Sequence, residues 1–426
     1  MSSVSPSFFE LVNYTPPDAI FELTKTYNAD PVARKVNLGQ GTYKDENGNP
    51  WILPAVRSAK EKIKHSNHEY LPILGLPSFR TLATDLVFGK HSTAIREGRV
   101  ASCQALSGTG ALHIAGTILK QVLGRDTTVY ITKPSWSNHR QVFESIGFAV
   151  REFNYSSSAG VDMQSLIQTL KEAAPKSIFV FHASAHNPSG WDCSVDEWKQ
   201  IGAIVKERQI FPLFDAAYLG LTSGDYDRDA FAIRYFADEL GLEIAVCLSF
   251  AKSMGLYGER VGLCTFSSNT PTIAAAIESS LARMIRVEIS NPPAFGARIV
   301  AAVLEDEELY AQWRKDLVTM SLRIAEMRWQ LYQGLTELRT LAQPHSRVCD
   351  SMWDASDCLL GTPGDWKRIT EQKGMFCILG LTLDQVHQLQ KEYHIYMAES
   401  SRISIAGLNG SNVRYVAECI NQTVTR

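Results

Sequence analysis

Residues 177–218 of this 426-residue chain, SIFVFHASAHNPSGWDCSVDEWKQIGAIVKERQIFPLFDAAY, decide its fold class. Two apolar, β-rich runs at 177–181 and 211–214 flank a helical pattern at 198–208, and Ser194 and Glu197 have the spacing of a capping box. Further strand candidates lie at 128–132, 244–248 and 261–266. Most of these runs are apolar without alternation, as in strands covered on both faces. The pattern predicts an α/β fold in which helices wrap a mostly parallel sheet.

The pattern changes after residue 306. Apolar residues recur at steps of three and four and predict one long helix, through Leu309, Trp313, Leu317, Met320, Ile324, Met327 and Leu331. Shorter helices at 383–393 and 413–423 follow, mixed with short strands. We therefore predict a large domain over 46–320 and a smaller α+β domain made of 1–45 and 321–426. The aperiodic stretch 342–359 is interpreted as an exposed loop insertion.

Composition narrows the class of protein. The 42 Lys and Arg nearly balance the 45 Asp and Glu, which argues against a dedicated nucleic-acid binder. With 45% hydrophobic and 20% charged residues, the chain is typical of globular proteins. No apolar run approaches the roughly 20 residues that span a bilayer. The eight scattered cysteines and the absence of a signal or transit pattern predict a cytoplasmic protein with reduced, buried thiols.

A glycine-containing turn is the first candidate for chemistry. Ser107-Gly108-Thr109-Gly110-Ala111 precedes a predicted helix at 112–122. Glycines let backbone N–H groups approach an anion, and a helix N-terminus favours negative charge. Alone the signal is weak, because such turns usually just connect elements. It matches neither a P-loop nor a dinucleotide fingerprint, which favours a single phosphate on a smaller cofactor.

Two strand ends carry further candidates. Lys252 follows the strand at 244–248 closely, and a desolvated lysine amine is suited to Schiff-base chemistry. The alternative is a lysine whose charge simply reaches solvent. Asp215 and Tyr218 follow the strand at 211–214, at the edge where doubly wound sheets bind ligands. Asp215 can hold a proton on a heterocyclic nitrogen and Tyr218 can donate to a phenolate oxygen, although a capping Asp and a packed Tyr would also suit.

Two histidines stand four residues apart in the segment that follows the strand at 177–181. His182 and His186 suggest metal ligands at first sight. Their spacing spans a strand-to-turn junction and no third ligand is near in sequence, so we predict no metal site. We interpret both as structural residues that flank a functional Asn187, and the Asn187–Pro188 bond as a candidate cis peptide.

Together these motifs resemble the aspartate aminotransferase branch of the fold type I pyridoxal-phosphate enzymes. The motifs that carry the resemblance are SGTGA, Pro134-Ser135-Trp136, AHNPSG, FDAAY, SFAK followed by GERVG, SNPPA, and Ser401-Arg402. It extends from residue 17 to residue 424 and includes 36–39 and 67–72. So many motifs in the expected order are far more specific than any one of them. The resemblance implies a fold type I α/β large domain with a smaller α+β domain.

The resemblance also implies the roles of the cofactor residues. Lys252 would form an aldimine with pyridoxal 5′-phosphate and move the proton between the substrate α-carbon and C4′. Asp215 would keep the pyridine nitrogen protonated, while Tyr218 and Asn187 hydrogen-bond the ring oxygen. Trp136 would stack on the ring. The implied phosphate cradle comprises Ser107, Gly108, Thr109, Ser249, Arg260 and Tyr70 of the partner subunit.

The substrate residues follow from the same resemblance. Arg402 would pair bidentately with the α-carboxylate. Arg286, which is otherwise interpreted as a surface arginine, would reach across a dimer interface to the side-chain carboxylate. The remaining residues expected around the substrate are Gln40, Gly41, Trp136, Asn187 and Phe376. The predicted function is ping-pong transamination between L-aspartate or L-glutamate and a 2-oxo acid, by a homodimer with shared active sites.

Three features depart from the family pattern and keep alternatives open. Gln40 replaces a normally apolar residue, Ser401 replaces a glycine, and 342–359 is inserted. The first alternative is a specialised relative that uses the same site on a modified amino acid or for lyase or decarboxylase chemistry. The second is a non-catalytic protein, against which the intact Lys252 and Asp215 argue. For the insertion, drift without loss of activity is favoured.

Overall fold

The computed structural model of the chain describes residues 7–124, 126–337 and 361–426, and the predicted insertion at 342–359 lies outside them. In chain order the helices are α1 (Ala19–Ala29), α2 (Pro54–Ile63), α3 (Pro77–Phe88), α4 (Thr93–Arg96), α5 (Ser107–Leu123), α6 (Ser137–Ser145), α7 (Met163–Glu172), α8 (Val195–Glu207), α9 (Tyr226–Asp229), α10 (Phe231–Arg234), α11 (Phe250–Ser253), α12 (Pro271–Glu288), α13 (Ala294–Glu305), α14 (Glu307–Glu337), α15 (Arg368–Glu371), α16 (Leu383–Tyr393) and α17 (Val413–Thr425).

The strands form one large sheet and three small pairs in the described part of the chain. They are β1 (Val36–Asn37), β2 (Val100–Leu106), β3 (Thr128–Lys133), β4 (Ala149–Asn154), β5 (Ser156–Ser157), β6 (Gly160–Val161), β7 (Ile178–His182), β8 (Phe211–Ala216), β9 (Ile244–Ser249), β10 (Val261–Ser267), β11 (Phe376–Ile378), β12 (Ile395–Tyr396) and β13 (Arg402–Ser404). The large sheet has the order β2-β10-β9-β8-β7-β3-β4. Within it, β10 runs antiparallel to both of its neighbours and the other pairs are parallel. The predicted mostly parallel α/β architecture is confirmed.

The centre of the sheet brings three strand ends to one edge. Every residue of β7 and β9 is buried, and so are the last five of β8, which explains their unbroken apolar sequences. The register pairs His182 with Asp215, and Asp215 with Cys247. The predicted capping box forms at the start of α8, where Ser194 and Glu197 satisfy each other's backbone N–H groups. Because parallel strands end at the same edge, the residues after β7, β8 and β9 lie close together.

The long helix α14 leads from this sheet to the C-terminal elements. The seven apolar residues that predicted it are all buried along one face. The pair β1 and β12 joins the N-terminal segment to the C-terminal part, and β11 pairs with β13. These pairings agree with a small unit assembled from both ends of the chain. The domain boundaries at 45/46 and 320/321 stay a prediction.

Several elements differ from those that the sequence pattern predicts. Helix α5 begins at Ser107, five residues before the predicted start, so the glycine-containing turn is the first turn of the helix. Strands β2 and β4 were missed. All six cysteines within the described residues are free, and five of them are buried while Cys193 is partly exposed. No helix in the described part is long and apolar enough to cross a membrane.

Candidate active site

A pocket opens at the edge of the sheet where β7, β8 and β9 end. Two of the residues that line it, His182 and Ala217, were not predicted to do so. The predicted residues that line it are Ser107, Gly108, Thr109, Trp136, Asn187, Asp215, Tyr218, Ser249, Lys252 and Arg260.

One side of the pocket is the N-terminus of α5. Its cap position carries no side-chain hydrogen bond, so the first backbone N–H groups of the helix are left for a ligand. The Ser107 and Ser249 hydroxyl oxygens lie 2.8 Å apart and join this turn to the end of β9. Burial lowers the pKa of Arg260, whose Nη1 donates to the Tyr257 carbonyl and which has no carboxylate partner within the described residues. Free N–H groups beside an unpaired guanidinium suit a phosphate.

Lys252 also lines the pocket, from the short helix α11. Its amine is 5.3 Å from the centroid of the Tyr218 ring and makes no hydrogen bond or ion pair among the described residues. Burial lowers the pKa of Lys252, and the positive charge of Arg260 lowers it further, whereas the charge of Asp215 raises it. The net shift is downward and favours the neutral amine, which is the nucleophilic form.

Asp215 is held by a buried chain of polar groups at the base of the pocket. His139 Nε2 and Asp215 Oδ2 are 2.9 Å apart, and the Ser135 hydroxyl is 2.9 Å from His139 Nδ1. Burial raises the pKa of Asp215, but the hydrogen bond and charge of His139, with smaller contributions from His182 and Lys252, bring it below its ordinary value. Oδ1 of Asp215 is buried without a partner. An ionised carboxylate with one free oxygen in a pocket is suited to accept a proton-bearing ring nitrogen.

A second chain of contacts runs from Tyr218 to the small sheets. Asn187 Nδ2 donates to the Tyr218 hydroxyl at 3.3 Å, and Arg402 Nη1 donates to Asn187 Oδ1 at 3.4 Å. Arg402 Nη2 donates to the Gly39 carbonyl at 2.6 Å. The guanidinium is buried, its Nε has no partner, and no carboxylate pairs with it among the described residues. Such a group is costly alone and therefore suits an incoming carboxylate.

Phe376 packs between Arg402 and Tyr218 beside the pocket. Its ring centroid is 4.4 Å from the Arg402 guanidinium carbon and 6.0 Å from the Tyr218 ring, edge to face. A Cβ on Gly41 would lie 2.7 Å from the tip of the Phe376 ring, so a larger residue there would displace the ring. Gln40, between Gly39 and Gly41, is half-buried, and its amide makes no hydrogen bond with the described residues.

Six predicted residues do not line this pocket. Arg402 and Phe376 adjoin it through Asn187 and Tyr218, with Gln40 and Gly41 beside them, whereas Tyr70 and Arg286 are exposed. Tyr70 is 86% exposed, and Arg286 is an exposed residue of the last turn of α12 whose Nη1 donates to the Ser290 hydroxyl. The two segments are tied together, because Asn291 Nδ2 donates to the Leu71 carbonyl at 2.8 Å. Both residues thus belong to one surface outside the pocket of their own chain, as the predicted sharing between subunits requires.

The histidine that ends β7 and the one four residues later differ in their contacts. His186 Nε2 is 2.9 Å from the Thr132 hydroxyl and its Nδ1 is 2.8 Å from the Ser189 hydroxyl, as expected for a structural residue. His182 lines the pocket instead. Its Nδ1 accepts the Asn187 N–H, so the proton of the neutral ring lies on Nε2, which is buried without a partner. The peptide bond between Asn187 and Pro188 is cis.

Comparison with known proteins gives consistent relatives over nearly the whole chain. The family model described as "Aminotransferase class I and II" matches residues 33–420. The cytoplasmic aspartate aminotransferase of Saccharomyces cerevisiae is 42% identical over 99% of this chain and 98% of its own length. A solved aspartate aminotransferase from the cytoplasm of the same yeast has a TM-score of 0.91 at 41% identity, covering 98% of each chain. An aromatic-amino-acid aminotransferase of Burkholderia pseudomallei, covalently bound to pyridoxal phosphate, has a TM-score of 0.90 at 37% identity and covers 98% of this chain and 100% of its own.

The fold and these similarities assign the chain to one family. It belongs to the class I and II aminotransferases and has their fold type I α/β architecture.

Proposed function

We propose that this protein is a pyridoxal-phosphate-dependent transaminase that exchanges the amino group of L-aspartate or L-glutamate with a 2-oxo acid by a ping-pong mechanism. The observation that carries the proposal is the pocket that holds Lys252, with an unpaired amine, and Asp215, with an unpaired carboxylate oxygen, beside the free N-terminus of α5. The names of the similar yeast proteins support the substrate class.

The pocket fits the proposed cofactor at both of its charged ends. The first turn of α5, with Ser249 and Arg260, would take the phosphate. Oδ1 of Asp215 would accept the pyridinium proton, and Trp136 would cover the ring. Tyr218 and Asn187 would hydrogen-bond the ring oxygen. When bound, the cofactor supplies an electron sink that stabilises negative charge at the substrate α-carbon.

The chain's own groups would manage the proton and the substrate. Lys252 Nζ, whose neutral form burial favours, would take the proton from the substrate α-carbon and deliver it to C4′ of the cofactor. Arg402 would exchange its contacts with Gly39 and Asn187 for a bidentate pair with the α-carboxylate. Phe376 and Gly41 would limit the space beside it.

The specificity arginine would come from a second copy of the chain. Arg286 and Tyr70 are exposed and do not line their own pocket. Five apolar or aromatic side chains near the N-terminus are also exposed: Phe8, Phe9, Leu11, Val12 and Tyr14. Exposed apolar surface of this kind marks a protein interface. We therefore propose a homodimer in which Arg286 binds the substrate's distal carboxylate and Tyr70 the phosphate of the neighbouring pocket. A cytoplasmic location is proposed from the name of the yeast relative.

Arg286→Leu tests the substrate class. Charged hydrogen bonds contribute about 1.5–3 kcal/mol each, so kcat/KM for aspartate should fall roughly 10²-fold. Activity with phenylalanine, which has no distal carboxylate, should change little. Both are measured with 2-oxoglutarate and a panel of amino donors, with Arg283→Leu, on the same helix, as the matched control. Equal losses for both donors would contradict a role in selecting dicarboxylates.

The unpaired amide of Gln40 favours one second candidate. It lies between the carbonyl that holds Arg402 and the glycine that contacts Phe376. An amide there can bind a polar substituent that an apolar side chain would reject. The alternative is therefore a specialised relative acting on a modified amino acid, by transfer, elimination or decarboxylation. Gln40→Leu should then lose activity on that substrate and gain it on aspartate, as the donor panel and product analysis would show.

A further inference from the structure

The guanidinium of Arg328 is buried without a carboxylate in ion-pair contact among the described residues. Arg328 lies on α14, is 4% exposed and has no ion pair within the described residues. Burial lowers its pKa. A buried charge of this kind costs several kcal/mol unless many hydrogen bonds satisfy it. The hydrogen-bond partners of Arg328 therefore indicate its role in the structure.

Those partners are four backbone carbonyls of a single segment, which leads into the active site. Nη1 donates to the Ile369 carbonyl at 2.9 Å. Nη2 reaches the Lys373, Gly374 and Phe376 carbonyls at 3.1, 2.9 and 2.5 Å. The segment runs from α15 through a turn to β11, which carries Phe376. One side chain thus fixes the whole path of this backbone.

The same segment also contacts the loop that carries Asn187. The Lys373 N–H donates to the Gly190 carbonyl, and a Cβ on Gly190 would lie 2.8 Å from the Phe376 carbonyl oxygen. A Cβ on Gly374 would lie 2.3 Å from that of Ala185. The segment is therefore held between Arg328 and this loop, with little room to shift.

Phe376 connects this segment to the residues at the substrate end of the pocket. Its ring touches the Arg402 guanidinium, the Tyr218 ring and Gly41. Strand β11 also pairs with β13, where Ile378 lies opposite Arg402. A movement of the segment would displace the guanidinium, and misplacement by about 1 Å is costly in rate.

We propose that Arg328 is a positioning residue for the substrate end of this site, acting through Phe376 on Arg402. The inference rests on the proposed function only in taking a dicarboxylate as the ligand of Arg402. Arg328 does not line the pocket, and none of the residues proposed to hold the cofactor's phosphate and ring nitrogen is among its hydrogen-bond partners.

A double-mutant cycle tests the proposal on the holoenzyme. The dissociation constant of succinate, a dicarboxylate without an amino group, is measured by titration calorimetry for Arg328→Met, Phe376→Leu and the double variant. Each single variant should bind succinate about tenfold more weakly, a loss of about 1.4 kcal/mol. The double variant should be no weaker than the weaker single one, because both changes interrupt the same path. Cofactor affinity, followed by absorbance during dialysis, should be unchanged.

Controls separate positioning from general stability. Arg328→Lys keeps a charge with fewer directed donors and should bind succinate with intermediate strength, which preserves the test if the Met variant does not fold. Arg314 lies on α14 like Arg328 and makes ion pairs with Asp225 and Asp227. Arg314→Met removes those pairs and should leave succinate binding unchanged. Losses that multiply in the double variant, or equal losses of succinate and cofactor, would overturn the proposal. Failure of the wild-type holoenzyme to bind succinate would instead refute the proposed substrate class.

Discussion

Single residues set the chemistry of this pocket through opposing charges. Burial is the main cause of the lowered pKa of Lys252, and two ionised neighbours modulate it in opposite directions. In the apoenzyme, Arg260→Met should raise the pKa of Lys252 and Asp215→Ala should lower it further. The rate at which an amine reagent modifies Lys252 should thus rise at higher pH in the first variant and at lower pH in the second. Peptide mass spectrometry across a pH series measures both.

The pH at which Lys252 becomes reactive follows the pKa of its amine. Only the neutral amine is nucleophilic, so a higher pKa moves the rise in reactivity to higher pH. Arg283→Leu, an exposed position of α12 outside the pocket lining, is the control and should not move the profile. A shift in the same direction for both pocket variants would show that altered packing, and not charge, controls the amine.

The sequence predicted most of the pocket residues but missed how they are supported. Lys252, Asp215 and Tyr218 follow buried strands, and their motifs place them at one sheet edge. His139 gave no such signal, because its contact with Asp215 joins residues 76 positions apart. His182 was interpreted as structural, since nothing in its local pattern shows that the free Nε2 faces the pocket.

Elements were predicted where local pattern and tertiary packing agree. The stripe of α14 and the capping box of α8 are local signals that the packing reinforces. Helix α5 is different, because it starts without a side-chain cap, with Ser107 at φ +60°, and with two glycines in its first turn. Strand β2, VASCQAL, has weak β propensity and is defined by its pairing with β10. These features depend on contacts that the local sequence does not contain.

The turn before β13 carries a strained residue in place of a glycine. Ser401 has φ +58°, and a residue with a Cβ pays about 1–2 kcal/mol in this region. Its hydroxyl accepts the Gly380 N–H at 3.0 Å, and its carbonyl accepts the Leu379 N–H. Ser401→Ala loses the hydroxyl contact but keeps the strain, whereas Ser401→Gly loses both. We expect the Gly variant to be about 1 kcal/mol more stable than the Ala variant, and neither to exceed wild type.

Thermal unfolding of the three proteins, prepared identically, measures this order. Equal stability of the two variants would show that the positive φ carries no cost here. Ser401 directly precedes Arg402, the first residue of β13. Substrate affinity in the two variants should therefore depend on how each change places β13, and not only on the free energy of unfolding.

At the scale of the whole molecule, the residues of the proposed site lie in two places on one chain. Cofactor and α-carboxylate groups converge, but the predicted distal-carboxylate and phosphate residues, Arg286 and Tyr70, lie on a separate surface. A domain division at 45/46 and 320/321 would place Arg402 and Phe376 on the smaller unit and Lys252 on the larger one. The division itself remains a proposal, since sequence periodicity marks elements more clearly than boundaries.

Hybrid dimers test whether two chains share each site. Lys252→Ala removes the proton-transfer amine from a chain's own pocket, and Arg286→Leu removes the arginine offered to the neighbouring one, so each variant alone should be nearly inactive on aspartate. After unfolding and refolding as an equal mixture, half of the dimers are hybrids, and each hybrid has one pocket with both residues intact. Activity should therefore recover to roughly a quarter of wild type.

A mixture of Lys252→Ala and Asp215→Ala is the control. Both residues are proposed to act in the pocket of their own chain, so each pocket of that hybrid lacks one of them. This mixture should be no more active than the sum of the two variants. Absence of recovery with Arg286→Leu, in samples shown to contain hybrids by differential tagging, would place both residues in one chain's site and refute the shared pocket.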